Sequence, residues 1–209
     1  NLQQNNFMGT GKRVGFSVTK NDYQLRYSVN YTNPYYTIDG VSRGFNLFYR
    51  KTDFSNQSFS EAKFIECRFV GCDLSLLNVT YTAFQDVYFE TCKMLGLHFD
   101  TCSNFLFQVA FKSCKLDNSS FYQVELKQTL FESCSLQGVD FTEANLTRAK
   151  FIHSNLLDAM FSSTNLSGAD LSTAQGFTIR PDNNQLKQAQ FSRSNLEGLL
   201  QGYSLKFTD

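Results

Sequence analysis

An apolar residue recurs at every fifth position through most of this 209-residue chain. The series begins at Phe54, gains two extra residues after Phe99 and ends at Leu171. Its anchors are Phe54, Phe59, Phe64, Phe69, Leu74, Val79, Phe84, Phe89, Met94, Phe99, Leu106, Phe111, Leu116, Phe121, Leu126, Phe131, Leu136, Phe141, Leu146, Phe151, Leu156, Phe161, Leu166 and Leu171. Most anchors follow a small or β-branched residue by two positions. This repeat constrains the fold more than any other feature.

Neither regular secondary-structure element accommodates a period of five. In an α-helix, five residues rotate the side chain by about 140°, so successive anchors form no stripe. In a flat strand, an odd period places successive anchors on opposite faces of the sheet. The pattern is satisfied where the chain turns a corner once per repeat. It therefore predicts a solenoid, in which each coil is stabilised by its neighbours.

If each coil has four sides of five residues, residues twenty apart stack at the usual strand spacing of about 4.8 Å. With the two extra residues allowed for, the sequence contains such columns of like side chains. One column holds Phe69, Phe89, Phe111, Phe131 and Phe151, and another holds Leu74, Met94, Leu116, Leu136 and Leu156. Burial of each large apolar side chain contributes roughly 1.5–3 kcal/mol, so we expect these columns to form the core.

Three repeats carry the pattern most clearly: Ala144-Asn145-Leu146-Thr147-Arg148, Thr164-Asn165-Leu166-Ser167-Gly168 and Ala169-Asp170-Leu171-Ser172-Thr173. Residues 54–171 resemble the pentapeptide-repeat family, in which a small residue, Asp or Asn, and Leu or Phe precede two variable positions. The resemblance implies an all-β fold, a right-handed quadrilateral β-helix. The series breaks at residues 175–187 and resumes at Ala189 and Phe191, so we assign the β-helix to residues 54–191.

Residues 192–209 have the pattern of a short helix of about two turns followed by a short strand. With the interruption before it, this tail resembles the C-terminal module of Qnr-type quinolone-resistance proteins. The resemblance implies a homodimer joined tail to tail. The apolar residues that would form the dimer interface are Leu196, Leu199, Leu200, Tyr203, Leu205 and Phe207. The same residues would also serve to cap the open end of a monomeric solenoid.

The Qnr resemblance further implies a rod that imitates duplex DNA. Such a rod binds a type II topoisomerase, DNA gyrase or topoisomerase IV, and protects it from quinolones without binding nucleic acid itself. Carboxylates that flank the anchors are the candidates for replacing phosphates: Glu61, Glu66, Asp73, Asp86, Asp100, Asp117, Asp140, Glu143, Asp158 and Asp170. Two alternatives stay open. The outward charges could serve only to keep the rod soluble, or the protein could be a scaffold that binds a different protein.

The six cysteines allow three interpretations. Cys72, Cys92, Cys114 and Cys134 fall in one column, which suits paired disulfides, a metal site, or small buried hydrophobic residues. No Cys-x-x-Cys spacing is present, and both histidines, His98 and His153, lie outside the column. We favour the interpretation that the cysteines are small buried hydrophobic residues. Reduced, buried thiols are consistent with a cytosolic protein.

Residues 1–53 have a different composition, with seven basic and three acidic residues and a net charge of +4, against −4 for the remainder. Apolar residues alternate in three runs, residues 14–18, 25–31 and 45–49, with turn signals at Gly11, Asn21-Asp22 and Asp39-Gly40. These features predict a β-hairpin-like segment. We infer a fusion, joined near Arg50–Phe54.

Four stretches of this segment resemble the first barrel strands of BamA, the bacterial outer-membrane assembly protein: Asn6-Phe7-Met8-Gly9-Thr10-Gly11, Lys20-Asn21-Asp22-Tyr23, Thr32-Asn33-Pro34-Tyr35-Tyr36 and Asp39-Gly40-Val41-Ser42. Three or four strands neither close a barrel nor satisfy their edges in lipid. The assembly function is therefore not transferred, and we do not expect a membrane partner. Envelope association through residues 1–53 stays open as a weaker alternative.

Composition excludes several function classes. With two histidines, no phosphate-binding glycine loop and carboxylates spaced by the repeat, the sequence predicts a protein that is not an enzyme and needs no cofactor or metal. A net charge of zero argues against a nucleic-acid binder that relies on surplus positive charge. The chain has neither an apolar run of 18 residues nor a signal-peptide pattern, so we expect a cytoplasmic protein.

Overall fold

The computed structural model describes residues 2–5, 7–20, 24–34, 43–55 and 57–203. The chain divides into two compact units, Asn1–Asp53 and Phe54–Asp209. The first unit contains an antiparallel sheet, and the second is a parallel solenoid. Alternation with period two in the first unit and corners every five residues in the second account for this difference.

The N-terminal unit is a sheet of four antiparallel strands in the order β1-β2-β3-β4. The strands are β1 (Leu2–Asn5), β2 (Arg13–Lys20), β3 (Gln24–Asn33) and β4 (Arg43–Asp53), and a short 3-10 turn at Phe7–Gly9 connects β1 to β2. Residues directly opposite one another include Phe16 and Val29. The turn signals at Asn21-Asp22 and Asp39-Gly40 lie outside the described residues.

The solenoid has short strands at the sides of its coils. They are β5 (Lys63–Ile65), β6 (Arg68–Val70), β7 (Cys72–Asp73), β8 (Ala83–Gln85), β9 (Val87–Glu90), β10 (Val109–Lys112), β11 (Leu130–Glu132) and β12 (Lys150–Ile152). Strands β6, β9, β10, β11 and β12 stack as one parallel sheet in which Phe111 lies opposite Phe89 and Phe131. Single bridges such as Asp140 to Met160 continue the stacking. The all-β quadrilateral β-helix and its twenty-residue columns are confirmed.

Each corner is turned two residues after an anchor, where the backbone is left-handed. Glycine occupies this position at Gly96 (φ 62°) and Gly138 (φ 64°), but Glu61 (φ 62°) and Glu143 (φ 58°) adopt the same conformation. A left-handed non-glycine residue costs roughly 1–2 kcal/mol. Backbone hydrogen bonds between coils offset this cost, as where the Glu143 N–H donates to the Ser162 carbonyl at 2.8 Å. The corner therefore tolerates charged residues and presents them to solvent.

Two columns of phenylalanine from opposite sides of the coil fill the core. Along one column, Phe131 stacks on Phe111 and Phe151 with ring centroids 5.2 and 5.0 Å apart. Across the coil, Phe131 contacts Phe121 and Phe141 edge to face at 6.1 and 5.9 Å. All five rings are fully buried. Stacked pairs within a column and edge-to-face pairs between columns are both favoured aromatic geometries.

The small residue that precedes an anchor by two positions donates a side-chain hydrogen bond to the preceding coil. The Ser154 hydroxyl donates to the Phe131 carbonyl at 3.1 Å, and the Cys114 thiol donates to the Phe89 carbonyl at 3.4 Å. Ser154 continues the column of Cys72, Cys92, Cys114 and Cys134, whose thiols, like those of Cys67 and Cys102, are free. The thiols of the column therefore act as small, buried hydrogen-bond donors.

The structure corrects one anchor at the slip. Leu106 was predicted to face inward, but it lies at a corner with a positive φ of 54° and its side chain is 65% exposed. Phe107 fills the core instead, with its ring 6.3 Å from those of Phe84 and Phe99. Two inserted residues before β10 displace the chain outward, since residues paired across this coil are 22 apart, as are Val87 and Val109. The slip is thus a bulge that presents Phe105 and Leu106.

A short cap follows the last coil. It contains 3-10 helices at Pro181–Asn183, Arg193–Leu199 and Gln201–Tyr203, so the predicted short helix is present in 3-10 form. The Ile179 N–H donates to the Gly198 carbonyl at 2.9 Å. A Cβ atom on Gly198 would lie 2.4 Å from the Phe177 carbonyl oxygen, so only glycine permits this approach. The predicted terminal strand lies outside the described residues.

Candidate protein-interaction surface

The four sides of the solenoid carry different outward residues on the same core. We name two opposite sides by their charges. The acidic face has the anchors Phe59, Val79, Phe99, Phe121, Phe141 and Phe161, and the ion-pair face has the anchors Phe69, Phe89, Phe111, Phe131 and Phe151. Each anchor is flanked by three outward positions, one before it and two after it. Stacking of the coils turns these positions into continuous columns.

The acidic face gathers four of the ten predicted carboxylates: Glu61, Asp100, Asp140 and Glu143. Its outward positions between Ser58 and Ser163, all of them described, contain no lysine or arginine. Glu61 and Glu143 are exposed at corners, while Asp100 and Asp140 are partly buried beside the anchors. The acidic face is therefore the side on which negative charge is not offset.

Local hydrogen bonds fix the orientation of three of these carboxylates. An Asp140 carboxylate oxygen accepts the Thr142 N–H at 2.8 Å, and a Glu143 oxygen accepts the Gln123 amide N–H at 2.7 Å. Asp100 lies 3.3 Å from the His98 ring nitrogen Nδ1. Because none of these partners is a lysine or an arginine, the charges stay available to an approaching cationic surface.

Exposed apolar residues share this face with the carboxylates. Tyr81, Tyr122 and Met160 are all exposed and occupy outward positions of every second coil, those of Val79, Phe121 and Phe161. Tyrosine and methionine are enriched at protein interfaces. Charge alone does not identify these residues in the sequence, but their phase in the five-residue repeat places them beside Glu61 and Asp140.

The other six predicted carboxylates lie on sides that also carry cations. Asp170 belongs to the ion-pair face; Asp73, Asp117 and Asp158 lie on the side with anchors Leu74 to Leu156; and Glu66 and Asp86 lie on the side that contains Phe64 and Phe84. Glu66, Asp86 and Asp158 are exposed, and the other three are partly buried. The structure therefore distributes the predicted set over four sides and brings only part of it together.

Asp73 shows how a carboxylate is used within the fold. It accepts hydrogen bonds from the Ser75 N–H at 3.1 Å and the Ser75 hydroxyl at 2.7 Å, and it pairs with Lys93 at 3.2 Å. Desolvation acts to raise the pKa of Asp73, but the Ser75 and Lys93 interactions outweigh it and lower the pKa. Asp170 likewise accepts hydrogen bonds from the N–H and hydroxyl of Ser172. Such carboxylates stabilise turns.

The ion-pair face neutralises its own charges across coils. Arg68 pairs with Glu90 and stacks over Tyr88 at 5.1 Å, and Lys112 pairs with Glu132 at 3.1 Å. The pKa of Lys112 is raised by its hydrogen bond to Glu132. Opposite charges in successive coils leave little net field on this side.

The predicted dimer residues fall into two groups. Leu196 and Tyr203 are exposed, and the Tyr203 ring lies 5.9 Å from the Arg180 guanidinium. Leu199 packs against the core and Leu200 is half-buried, so these two residues serve the cap. Leu205 and Phe207 lie outside the described residues.

Two further properties of the described residues bear on the site. Among residues 57–203 and the described parts of residues 2–55, no three His, Cys, Asp or Glu side chains are grouped as metal ligands. No helix in the described part of the chain has the length and apolarity needed to cross a bilayer.

Comparison with known proteins supports both sequence resemblances. Residues 104–199 match the family described as the pentapeptide repeat region, and residues 6–92 match the Omp85 superfamily domain. A 52-residue stretch is 35% identical to the outer membrane protein assembly factor BamA of Neisseria meningitidis serogroup B. That stretch covers 25% of this chain and 6% of BamA, so the chain spans a small part of that relative.

Solved structures share the solenoid fold. Two trypsin-treated variants of QnrB1, a plasmid-mediated fluoroquinolone resistance protein, superpose with a TM-score of 0.58. They are 14% and 15% identical to this chain, and each match covers 75% of this chain and 87% or 85% of the other. At this level of identity the likeness establishes a common fold. The resemblance to pentapeptide-repeat proteins, with a BamA-like N-terminal segment, is confirmed.

Proposed function

We propose that this chain binds a type II topoisomerase, DNA gyrase or topoisomerase IV, in the cytoplasm and protects it from quinolones or related poisons. It acts by occupying a basic DNA-binding surface and performs no chemistry of its own. The observation that carries the proposal is the acidic face, a side of the solenoid that has four carboxylates and no lysine or arginine between Ser58 and Ser163. Fold similarity to QnrB1, whose name records fluoroquinolone resistance, supports the choice of target.

Charge density limits how far this face resembles DNA. Duplex DNA carries one negative charge per roughly 1.7 Å. The coils from Ser58 to Met160 are separated by five steps of about 4.8 Å, so DNA of that length would carry roughly 14 charges. The acidic face supplies Glu61, Asp100, Asp140 and Glu143. Its binding therefore depends on contacts of Tyr81, Tyr122 and Met160 as well as on charge.

The C-terminal cap would extend this surface by joining two chains. Leu196 and Tyr203 are the exposed apolar residues available for a tail-to-tail contact, and the rigid cap around Gly198 holds them in place. A homodimer would place two acidic faces on one longer rod. This arrangement suits a topoisomerase, which is itself a two-fold symmetric enzyme that holds a long DNA segment.

The test is a gyrase supercoiling assay with ciprofloxacin, with and without the protein. We expect the protein to raise the inhibitory concentration of the drug. The double variant Glu61→Gln/Glu143→Gln removes two charges from the acidic face, and we expect it to lose most of the protection. Its matched control, Glu90→Gln/Glu132→Gln, removes two charges from the ion-pair face and is expected to protect as the wild type does. An unchanged drug response with the wild-type protein would refute the proposal.

The alternative is a scaffold that binds another protein. The ion pairs between coils on the ion-pair face favour a scaffold, because a protein that only imitates DNA does not need charged residues paired across its coils. Direct binding to gyrase distinguishes the two functions. If the protein is a scaffold for another target, calorimetry would detect no saturable binding to gyrase. The acidic-face variant Glu61→Gln/Glu143→Gln would then bind gyrase no more weakly than the control Glu90→Gln/Glu132→Gln.

A further inference from the structure

We propose that the N-terminal sheet is a peripheral binding surface for anionic lipid. The proposal goes beyond topoisomerase protection and does not depend on it. It concerns one face of strands β2 and β3, which we name the apolar face, and it is argued from the register, exposure and charge of that unit.

The register places all the large apolar residues of β2 and β3 on one side. Val14, Phe16 and Val18 lie opposite Tyr31, Val29 and Tyr27, respectively. Because side chains alternate along a strand, Gly15, Ser17, Thr19, Arg26, Ser28 and Asn30 point to the other side. Strands β2 and β3 therefore have one apolar face and one polar face.

At the centre of β2 and β3 the apolar face is exposed and Ser28 of the polar face is buried, whereas Thr19, Arg26 and Asn30 on the polar face remain exposed. Phe16, Val18, Tyr27 and Val29 are 43%, 44%, 40% and 39% exposed. On the polar face, Ser28 is buried and its hydroxyl lies 2.6 Å from that of Ser17. Sheets with one solvated side normally direct polar residues to water. A contiguous exposed apolar patch marks a protein or membrane interaction site.

The net charge of this unit indicates which partner binds the apolar face. Residues 1–53 carry a net charge of +4, so two copies of this unit repel each other when face to face. Lys20 ends β2 on the apolar side, and Lys12 precedes the same strand. Lysines at the ends of an apolar row rest their stems on it and reach anionic headgroups. An anionic bilayer supplies both the apolar and the negative complement.

The depth of binding follows from the edges of the sheet. Spanning a bilayer requires every backbone N–H and C=O group to be paired. A sheet of four strands that lies in the headgroup region keeps its edges in contact with water, so peripheral binding has no such requirement. This mode corresponds to the weaker alternative of envelope association through residues 1–53 and departs from the expectation that the protein has no membrane partner.

The experiment is vesicle flotation of the full chain. Vesicles of phosphatidylcholine with phosphatidylglycerol are compared with vesicles of phosphatidylcholine alone. We expect binding to the anionic vesicles that weakens as salt is raised. Phe16→Thr/Val29→Thr removes a directly paired apolar couple while keeping strand propensity, and we expect it to lower the partition coefficient by about tenfold.

The matched control changes the polar face of the same strands, as Thr19→Ser/Asn30→Ser, and is expected to bind as the wild type does. Circular dichroism establishes that both variants keep the wild-type secondary structure. Failure of the wild type to bind anionic vesicles, or equal binding by the apolar-face variant, would overturn the proposal. Concentration-dependent dimers that the apolar-face variant abolishes, without vesicle binding, would assign the face to a second copy and also overturn it.

Discussion

The acidic face and the ion-pair face stand on the same core but treat charge in opposite ways. Phe121 anchors one and Phe131 the other, and the two rings meet edge to face at 6.1 Å inside the coil. Outside, Glu143 accepts a hydrogen bond from neutral Gln123, whereas Glu132 pairs with Lys112. The same five-residue repeat therefore supports two unlike surfaces.

This contrast shows that folding and surface charge are separable in a solenoid. The anchor and the small residue before it supply the burial and the hydrogen bonds between coils. Most side chains at the three outward positions lie outside the core, so apart from turn-stabilising carboxylates such as Asp73 they are free to define a binding surface. Each prediction below tests that separation at a different site.

The largest expected effect is at the anchors themselves. Phe121→Ala and Phe131→Ala each remove a fully buried ring, and each should lower the free energy of unfolding by about 3–5 kcal/mol, because a cavity adds to the lost burial. The two values should agree within about 1 kcal/mol, since both rings belong to one core. Urea unfolding monitored by circular dichroism measures both. A large difference would mean that the faces do influence the core.

Gly198→Ala tests the cap that covers the C-terminal end of the solenoid, where both faces end. The added Cβ would lie 2.4 Å from the Phe177 carbonyl oxygen, so the helix at Arg193–Leu199 must move. We expect overpacking to cost about 1–3 kcal/mol and any dimer to dissociate more readily. Thermal unfolding and light scattering report the two effects. Gln201→Ala, at an exposed position in the same cap, is the control; if it matched Gly198→Ala, the steric explanation would fail.

The thiol column, on a side between the two faces, should make the protein sensitive to alkali. The hydrogen bond with Cys114 and burial raise the pKa of Cys92 to about 11, and the hydrogen bond with Cys134 and burial raise that of Cys114 to about 12. Thiols of the unfolded chain ionise near pH 9.0, whereas those of Cys92 and Cys114 stay protonated in the folded chain. The hydrogen bond with Cys114 lowers the pKa of Cys134, which offsets part of this difference. Stability is therefore complete below pH 9 and falls between pH 9 and 11, by on the order of 1 kcal/mol per pH unit.

Urea titrations at several pH values measure this loss. Cys114→Ser is expected to fold, because Ser154 fills the same column with the same hydrogen bond, and to reduce the alkaline loss. Cys67→Ser, at a half-buried thiol outside the column, serves as its control. Equal alkaline loss in all three proteins would show that the column is not its source.

The smallest effect concerns the charge of the acidic face. Ser163 is an exposed corner residue with φ 55°, the conformation that Glu61 and Glu143 adopt. Ser163→Glu adds a fifth carboxylate, and we expect it to leave stability unchanged and to lower the protein concentration needed for gyrase protection by about twofold. Ser133→Glu makes the same change at a corner of the ion-pair face and should give no gain. Equal gains from both variants would contradict the role of the acidic face.

Much of the β-helix could be predicted from the spacing of apolar residues in the sequence. The five-residue period predicted the β-helix, and the twenty-residue register placed Phe111 between Phe89 and Phe131 as observed. The period could not resolve the slip, because Leu106 and Phe107 are both large and apolar and an insertion of two residues shifts the phase between them. Which of the two residues enters the core depends on which side chain fits against Phe84 and Phe99, and the structure places Phe107 there.

The candidate site was harder to predict. The ten carboxylates were identified by their outward phase alone, which does not say which of them have cationic neighbours one coil away. Asp73 and Glu143 both flank an anchor in the sequence, yet one pairs with Lys93 and the other lies on a side without lysine or arginine. Tyr81, Tyr122 and Met160 were missed for a different reason, since a search for charged residues does not select them.

The sequence by itself determined that the chain stacks on itself in corners, because a period of five has no other solution that buries every anchor. It also determined the change of character near residue 53, through charge and alternation. Only the tertiary structure decided which charges are neutralised, which apolar residues stay exposed and how Gly198 closes the end. These depend on neighbours about twenty residues away, where small differences in phase and packing select among residues that are locally equivalent.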